Sequence, residues 1–250
     1  MSGKAAKAPM ARLDRLLANL GYGSRREVTA LVARGQVVLD GAVVKDAGAR
    51  LAVGPDLPAR MTVAGQPLDP PAPLTLVMHK PLGVVCSHRE AGRSVYELLP
   101  HRWRARMPGL STIGRLDKET SGLLLITDDG AFLHRVISPR AEVAKRYVAT
   151  LDRPLEGGEA AVFAAGTLML DGEKDPLAPA MLEVLGPTEA RLTITEGRYH
   201  QVRRMFAAVG NHVTALHRDR IGGLALPEDL AAGAWRVMTA DEQAAIFRGT

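Results

Sequence analysis

Four short segments of this chain carry side chains able to do chemistry. The first is Gly114-Arg115-Leu116-Asp117-Lys118-Glu119-Thr120-Ser121-Gly122, which runs into Leu123-Leu124-Leu125-Ile126. It sets one carboxylate, Asp117, on a short loop just before an apolar strand. Such a carboxylate can attack an electrophilic carbon, take a proton, or steady a developing positive charge. Standing alone it would read as a structural loop acid or an ion-pair partner. The second segment, Lys145-Arg146-Tyr147, offers an aromatic face and a hydroxyl suited to proton transfer. The third is Glu196-Gly197-Arg198-Tyr199-His200-Gln201-Val202-Arg203-Arg204-Met205-Phe206, followed by Val209-Gly210-Asn211 and Leu216-His217-Arg218. Arg203 and Arg204 flank an i, i+3, i+4, i+7 stripe of Val202, Met205, Phe206 and Val209, so both reach out from one helix that ends at Gly210. The fourth is His79-Lys80-Pro81-Leu82-Gly83-Val84-Val85-Cys86-Ser87, where Lys80 reads as a binding contact or a structural charge.

Other patterns carry less. Asp128-Asp129-Gly130 resembles a metal turn but sits where a helix needs an N-cap. His212 and His217 lack zinc-protease spacing, and Cys86 is the only cysteine, so neither a disulfide nor a thiolate cluster is expected. Gly222-Gly223 has no Lys-Ser/Thr after it and is no phosphate loop. No metal site is expected.

The elements around these segments read as strands at 74–79, 122–127, 146–151, 181–185, 190–195 and 213–217. Helices are expected at 94–99, 129–137, 157–165, 198–209 and 239–248. They mix without strict βαβ alternation, which predicts an α+β domain with a mostly antiparallel, mixed sheet flanked by helices. Ahead of it, Leu13, Leu16, Leu17 and Leu20 mark a helix over 12–20, broken by Gly21 and Gly23. Ser24 and Glu27 form a capping box for a second helix ending at Gly35. Val37-Val38-Leu39 and Ala42-Val43-Val44 flank the hairpin turn Asp40-Gly41. The expected division is a flexible basic tail at 1–10, a helix–helix–hairpin domain at 11–57, a Pro-rich linker at 58–73 and a larger domain at 74–250.

The charge is uneven. Ten of the 32 Lys/Arg but only five of the 27 Asp/Glu fall within residues 1–60, so the whole formal excess of +5 sits there. A basic appendage on a neutral body suits a polyanionic partner. The first nine residues hold lysines and no apolar stretch, so no signal peptide is read there. No run reaches the ~18 apolar residues of a membrane helix. A cytoplasmic monomer is expected.

Residues 11–57 resemble the small RNA-binding module named after ribosomal small-subunit protein four. Arg12-Leu13-Asp14, Ser24-Arg25-Arg26, Arg34-Gly35-Gln36-Val37 and Asp40-Gly41 carry the likeness. It implies RNA contacts from Arg12, Arg15, Ser24, Arg25, Arg26 and Arg34. The four segments above, in this order behind that module, resemble the pseudouridine synthases that modify ribosomal RNA. Glu173-Lys174-Asp175 and the run from Glu196 to His212 look most like the small-subunit, RsuA-type members. His79 stands where Asn is common. The resemblance implies Asp117 as the catalytic carboxylate, Tyr147 packed against the uracil, and Arg203 paired with Asp117. It implies RNA contacts at Lys80, Arg115 and Arg204, no cofactor, and a partly assembled small subunit as partner. His101-Arg102-Trp103-Arg104-Ala105-Arg106 offers a stacking and phosphate surface or an amphipathic turn. The alternatives are a large-subunit enzyme of the same family and a non-catalytic RNA-binding assembly factor.

Overall fold

The computed structural model describes residues 8–87 and 90–248. The chain divides into two compact units, one of 1–74 with 99–111 and one of 75–98 with 112–250. No helix among the described residues is long and apolar enough to cross a membrane.

The first unit opens with β1 (Met10–Arg12), α1 (Leu13–Asn19) and α2 (Arg25–Ala33). Leu13, Leu16 and Leu17 of α1 and Val28 and Val32 of α2 are buried in one core, as their helical spacing requires. The Ser24 hydroxyl accepts from the Glu27 N–H while the Glu27 carboxylate accepts from the Ser24 N–H, the expected capping box. The hairpin follows as β2 (Val37–Leu39) and β3 (Ala42–Val43), turned by Asp40 and Gly41 at φ 50° and 78°. Positive φ at both turn positions is what a two-residue Asp-Gly hairpin needs.

Beyond β4 (Arg50–Ala52) and the short α3 (Leu57–Arg60), the structure departs from the expected linker. β5 (Met61–Val63) pairs with β2, and β6 (Gln66–Pro67) pairs with β5. Met61, Val63 and Leu68 fill the unit's core. Pro58 sits in the first turn of α3 and Pro67 in the edge strand β6, positions where a missing N–H is tolerated. At the other end, Met10 pairs with Ala52, so the expected tail is already strand there; residues 1–7 lie outside the described residues.

Residues 99–111 complete this unit, and 101–105 form the amphipathic turn rather than the stacking surface of the two readings. Trp103 is 4% exposed and Arg106 2%. Arg102 forks onto the Asp69 carboxylate at 2.5 and 2.6 Å and lies over the Tyr22 ring.

The second unit comprises β7 (Thr75–Lys80), β8 (Ser111–Ile113), β9 (Thr120–Thr127), α4 (Gly130–Ile137), β10 (Lys145–Leu151), α5 (Glu159–Ala164), β11 (Met181–Gly186), β12 (Glu189–Ile194), α6 (Gln201–Ala208), β13 (Val213–Ile221), β14 (Leu224–Ala225), β15 (Trp235–Val237) and α7 (Ala240–Ala245). Seven strands run in the order β11-β12-β10-β13-β9-β7-β15, with β8 beside β9 and β14 beside β13. All pairs along that seven-strand path are antiparallel except β13 with β9. This is the expected α+β domain with a mostly antiparallel sheet. Asp129 caps α4 by accepting from the Ala131 and Phe132 N–H groups, the role expected instead of metal binding. Phe132 and Val136 of α4 pack onto Val77, Leu123 and Leu125.

At the parallel junction, Gly122 faces the backbone of Arg218. A Cβ at Gly122 would meet the Arg218 carbonyl oxygen at 2.2 Å, and its φ is +113°. Glycine there lets β9 and β13 approach where the Asp117 loop enters the sheet.

Candidate active site

The loop that carries Asp117 is held through its backbone at successive residues. The Leu116 N–H donates to Cys86 Sγ at 3.4 Å. The Asp117 carbonyl accepts from the Thr120 N–H at 3.0 Å and from Lys80 Nζ at 3.0 Å. The Lys118 carbonyl accepts from the Gly83 N–H at 2.8 Å, and the Glu119 carbonyl from Arg203 at 3.0 Å. Each bond satisfies a polar group that a tight loop would otherwise leave unpaired. The Asp117 carboxylate takes no part in this anchoring. It stays one-third exposed, with His200 Nε2 at 3.5 Å from Oδ1, an ion pair when the ring is protonated.

Three expectations are corrected here. Lys80 is not an RNA contact: it is 0% exposed. Its ammonium donates to the carbonyls of Pro81, Asp117 and Thr120 at 3.1, 3.0 and 2.8 Å. Burial pushes its pKa down, and the carbonyls supply the acceptors that a buried cation requires. Arg203 is not paired with the Asp117 carboxylate. Its guanidinium donates to the Val213 carbonyl at 2.9 Å and to the Glu119 carbonyl, so it positions the loop rather than the acid. Arg204 is not free for phosphate. It binds Glu173 at 2.9 Å and the carbonyls of Tyr199 and Asp171. Glu173 is also bridged by Arg198, which binds Glu196, so the Asp171–Pro176 segment is tied to the start of α6.

The loop opens onto a cavity of about 740 Å³, within the range of small-molecule sites. Asp117, Lys145, Tyr147, His200, Arg203 and Arg218 line it. Tyr147 is 9% exposed and lies opposite Arg218 in the β10–β13 register. The Tyr147 hydroxyl accepts from Arg218 Nη1 at 3.3 Å, and the guanidinium sits 5.8 Å from the ring centroid. Arg115 stands at the rim, exposed and bonded to Glu90. Sequence reasoning gave no role to Lys145, Arg218, His200 or Tyr199, which also line the cavity. The signal was present for Lys145, because alternation along a strand puts it on the face of Tyr147. Tyr199 and His200 stack at 3.8 Å, and His200 sits at φ 49° as the N-cap of α6.

In the first unit, Arg12 and Arg25 both clamp Asp14, at 3.0 and 2.6 Å. They remain more than half exposed while paired. Arg34 bonds Gln36, and Arg15 and Arg26 are exposed. Among the described residues no cluster of His, Cys, Asp and Glu suits a metal ion.

This geometry fits what the chain resembles. A family model described as RNA pseudouridylate synthase matches residues 74–208, and one described as S4 domain matches residues 11–55. The chain is 43% identical over 240 residues to the ribosomal small subunit pseudouridine synthase A of Escherichia coli K12, covering 94% of this chain and 99% of that protein. It is 41% identical to the protein of that name from Vibrio cholerae, covering 95% and 100%. A solved structure of a pseudouridylate synthase aligns with a TM-score of 0.66 at 36% identity over 94% of this chain and 99% of that one. The chain therefore belongs to the RNA pseudouridylate synthase family, with an S4 domain preceding its synthase domain.

Proposed function

We propose that this chain isomerises one uridine of small-subunit ribosomal RNA to pseudouridine, with Asp117 as the carboxylate that acts on the sugar. The observation that carries the reading is the Asp117 loop: its backbone is bonded at every residue from Leu116 to Thr120, and its carboxylate lines the cavity. A carboxylate carried on a backbone fixed in this way needs little reorganisation when charge develops at C1′.

The reaction breaks the C1′–N1 bond, turns the uracil, and joins C5 to C1′. C5 then loses its proton and N1 gains one. Nothing is oxidised and no group enters, so the balance calls for no cofactor. Asp117 serves as nucleophile at C1′ or as base on the sugar; the geometry suits both. Tyr147 packs on the flipped ring and its hydroxyl takes the C5 proton. Arg203 acts through the Glu119 carbonyl as a positioning residue. Arg12, Arg15, Arg25, Arg26 and Arg34 of the S4 domain hold the RNA backbone, Ser24 caps the helix that presents two of them, and Arg115 assists at the cavity rim. The substrate is a partly assembled small subunit in the cytoplasm, met by a monomer. The 43% identity to a small-subunit synthase supports that substrate over large-subunit RNA.

Tritium release from RNA labelled at uridine C5 tests this, on small- and large-subunit transcripts with and without bound proteins. Asp117→Asn is expected to lose release while RNA affinity stays within about tenfold. Release from large-subunit RNA alone would move the substrate. Full turnover by Asp117→Asn would remove Asp117 from the chemistry.

A further inference from the structure

The cavity wall holds more positive charge than the isomerase reading has used. Arg218 is 3% exposed, and its Nη2 is buried with no hydrogen-bond partner. Its other nitrogens reach the Leu123 carbonyl at 2.9 Å and the Tyr147 hydroxyl. Lys145 lines the same cavity from two residues before Tyr147. Among the described residues no carboxylate lies within ion-pair distance of either cation, whereas Arg146, Arg198 and Arg204 close by each have one. Beside burial, the charge that acts on Lys145 is that of Arg218, which disfavours the ammonium. Two unpaired cations on one half-buried wall repel each other, and burial makes each costly. An anion entering the cavity relieves both.

We propose that Lys145, backed by Arg218, receives the negative charge of the uracil ring when its bond to the sugar breaks. This rests on the isomerase reading. As C1′–N1 breaks, the bonding pair leaves with N1 and the ring becomes a monoanion, its charge shared with O2 and O4. Lys145 meets that charge directly and holds the ring in the cavity while it turns. Arg218 is a positioning residue: it fixes Tyr147 through the hydroxyl and adds field from beneath, screened from water. When C5 bonds to C1′ the ring anion supplies the pair for the new bond; C5 then gives up its proton, the C5–H pair goes back into the ring, and N1 takes a proton. The charge then vanishes and the product is released. Ile194, Leu216 and Ile221 also line the cavity, which suits a flat ring better than a phosphodiester.

The test compares RNA carrying uridine with RNA carrying 5-fluorouridine at the target. Fluorine steadies the detached ring anion, so a substrate with it depends less on the lysine. Single-turnover cleavage of C1′–N1 is read by nucleoside chromatography after nuclease digestion, with RNA affinity measured alongside. Lys145→Met is expected to lose about 10²-fold with uridine and markedly less with 5-fluorouridine, with affinity within about threefold and Lys145→Arg restoring most of the rate. Equal loss on both substrates with weakened RNA binding would make Lys145 a phosphate contact and overturn the proposal. Undiminished turnover by Lys145→Met would overturn it as well. A wild-type protein that binds RNA but never cleaves C1′–N1 would remove the isomerase reading, and the proposal with it.

Discussion

Lys80 Nζ lies 3.0 Å from the Asp117 carbonyl oxygen and makes no ion pair with the Asp117 carboxylate. The buried lysine thus fixes where the acid starts from without neutralising it. Lys80→Met removes a fully buried charge and takes one donor from each of three carbonyls, of which that of Asp117 keeps a second, the Thr120 N–H. The cost is expected to be on the order of 3 kcal/mol, seen as a lower denaturant midpoint with unchanged slope. Turnover should fall at least about tenfold at temperatures where the variant is folded, because the loop loosens, while RNA affinity holds. A variant with wild-type stability would show that the carbonyls find water and that Lys80 is dispensable to the loop.

Two arginines pinch Asp14 in the S4 domain, and they hold its carboxyl down at about 2. The hydrogen bond from Arg12 is the larger cause and that from Arg25 the next. The folded value lies below the ordinary carboxylate value of about 3.9. The contribution is therefore present above pH ~4 and is lost as pH falls from there through about 2. Urea midpoints of the wild type and Asp14→Asn should converge across that window. Curves that stay parallel down to pH 2 would mean that the pair does not distinguish folded from unfolded chain.

Much of this is legible in the sequence. The Ser24–Glu27 box, the Asp129 cap and the Gly210 stop are local rules, and each acts within four residues. The six long strands of the larger sheet are legible as short apolar runs, and the α+β class as elements that mix without strict βαβ alternation. What was hidden depended on partners far along the chain. Lys80 reads as a surface cation until carbonyls 37 and 40 residues away enclose it. Arg203 reads as a partner for Asp117, yet the Val213 and Glu119 carbonyls occupy its guanidinium. The linker at 58–73 was read from its prolines alone. Met61, Val63 and Leu68, the apolar residues between them, are the better guide, since all three are core.

The same pairing sorts the basic residues of the S4 domain. Among the described residues Arg15 and Arg26 carry exposed charge with no acid bound to it, whereas Arg12 and Arg25 share Asp14. A phosphate gains more from a cation that has nothing to give up. Arg15→Ala and Arg26→Ala are each expected to lower the slope of log affinity against log salt by about one. Arg12→Ala and Arg25→Ala should move it less and lower stability more. Identical slopes for all four variants and the wild type would take the domain out of RNA binding.

Lys145 makes the strongest pH prediction. Burial, and then the nearby Arg218, bring its ammonium down to about 8. The folded value lies below the unfolded value of 10.5, so the free protein gains stability as pH rises between the two. Activity runs the other way. Above pH 8 the lysine sheds its proton and can no longer meet an anionic ring. The rate of C1′–N1 cleavage should therefore carry a descending limb near pH 8. Lys145→Arg keeps its charge through that range and should abolish the limb while retaining most of the rate. Arg218→Met removes the neighbouring charge that depresses Lys145, so it should shift the limb upward at a reduced rate. A limb near pH 8 that persists in Lys145→Arg would belong to another group and would leave Lys145 without the role assigned to it.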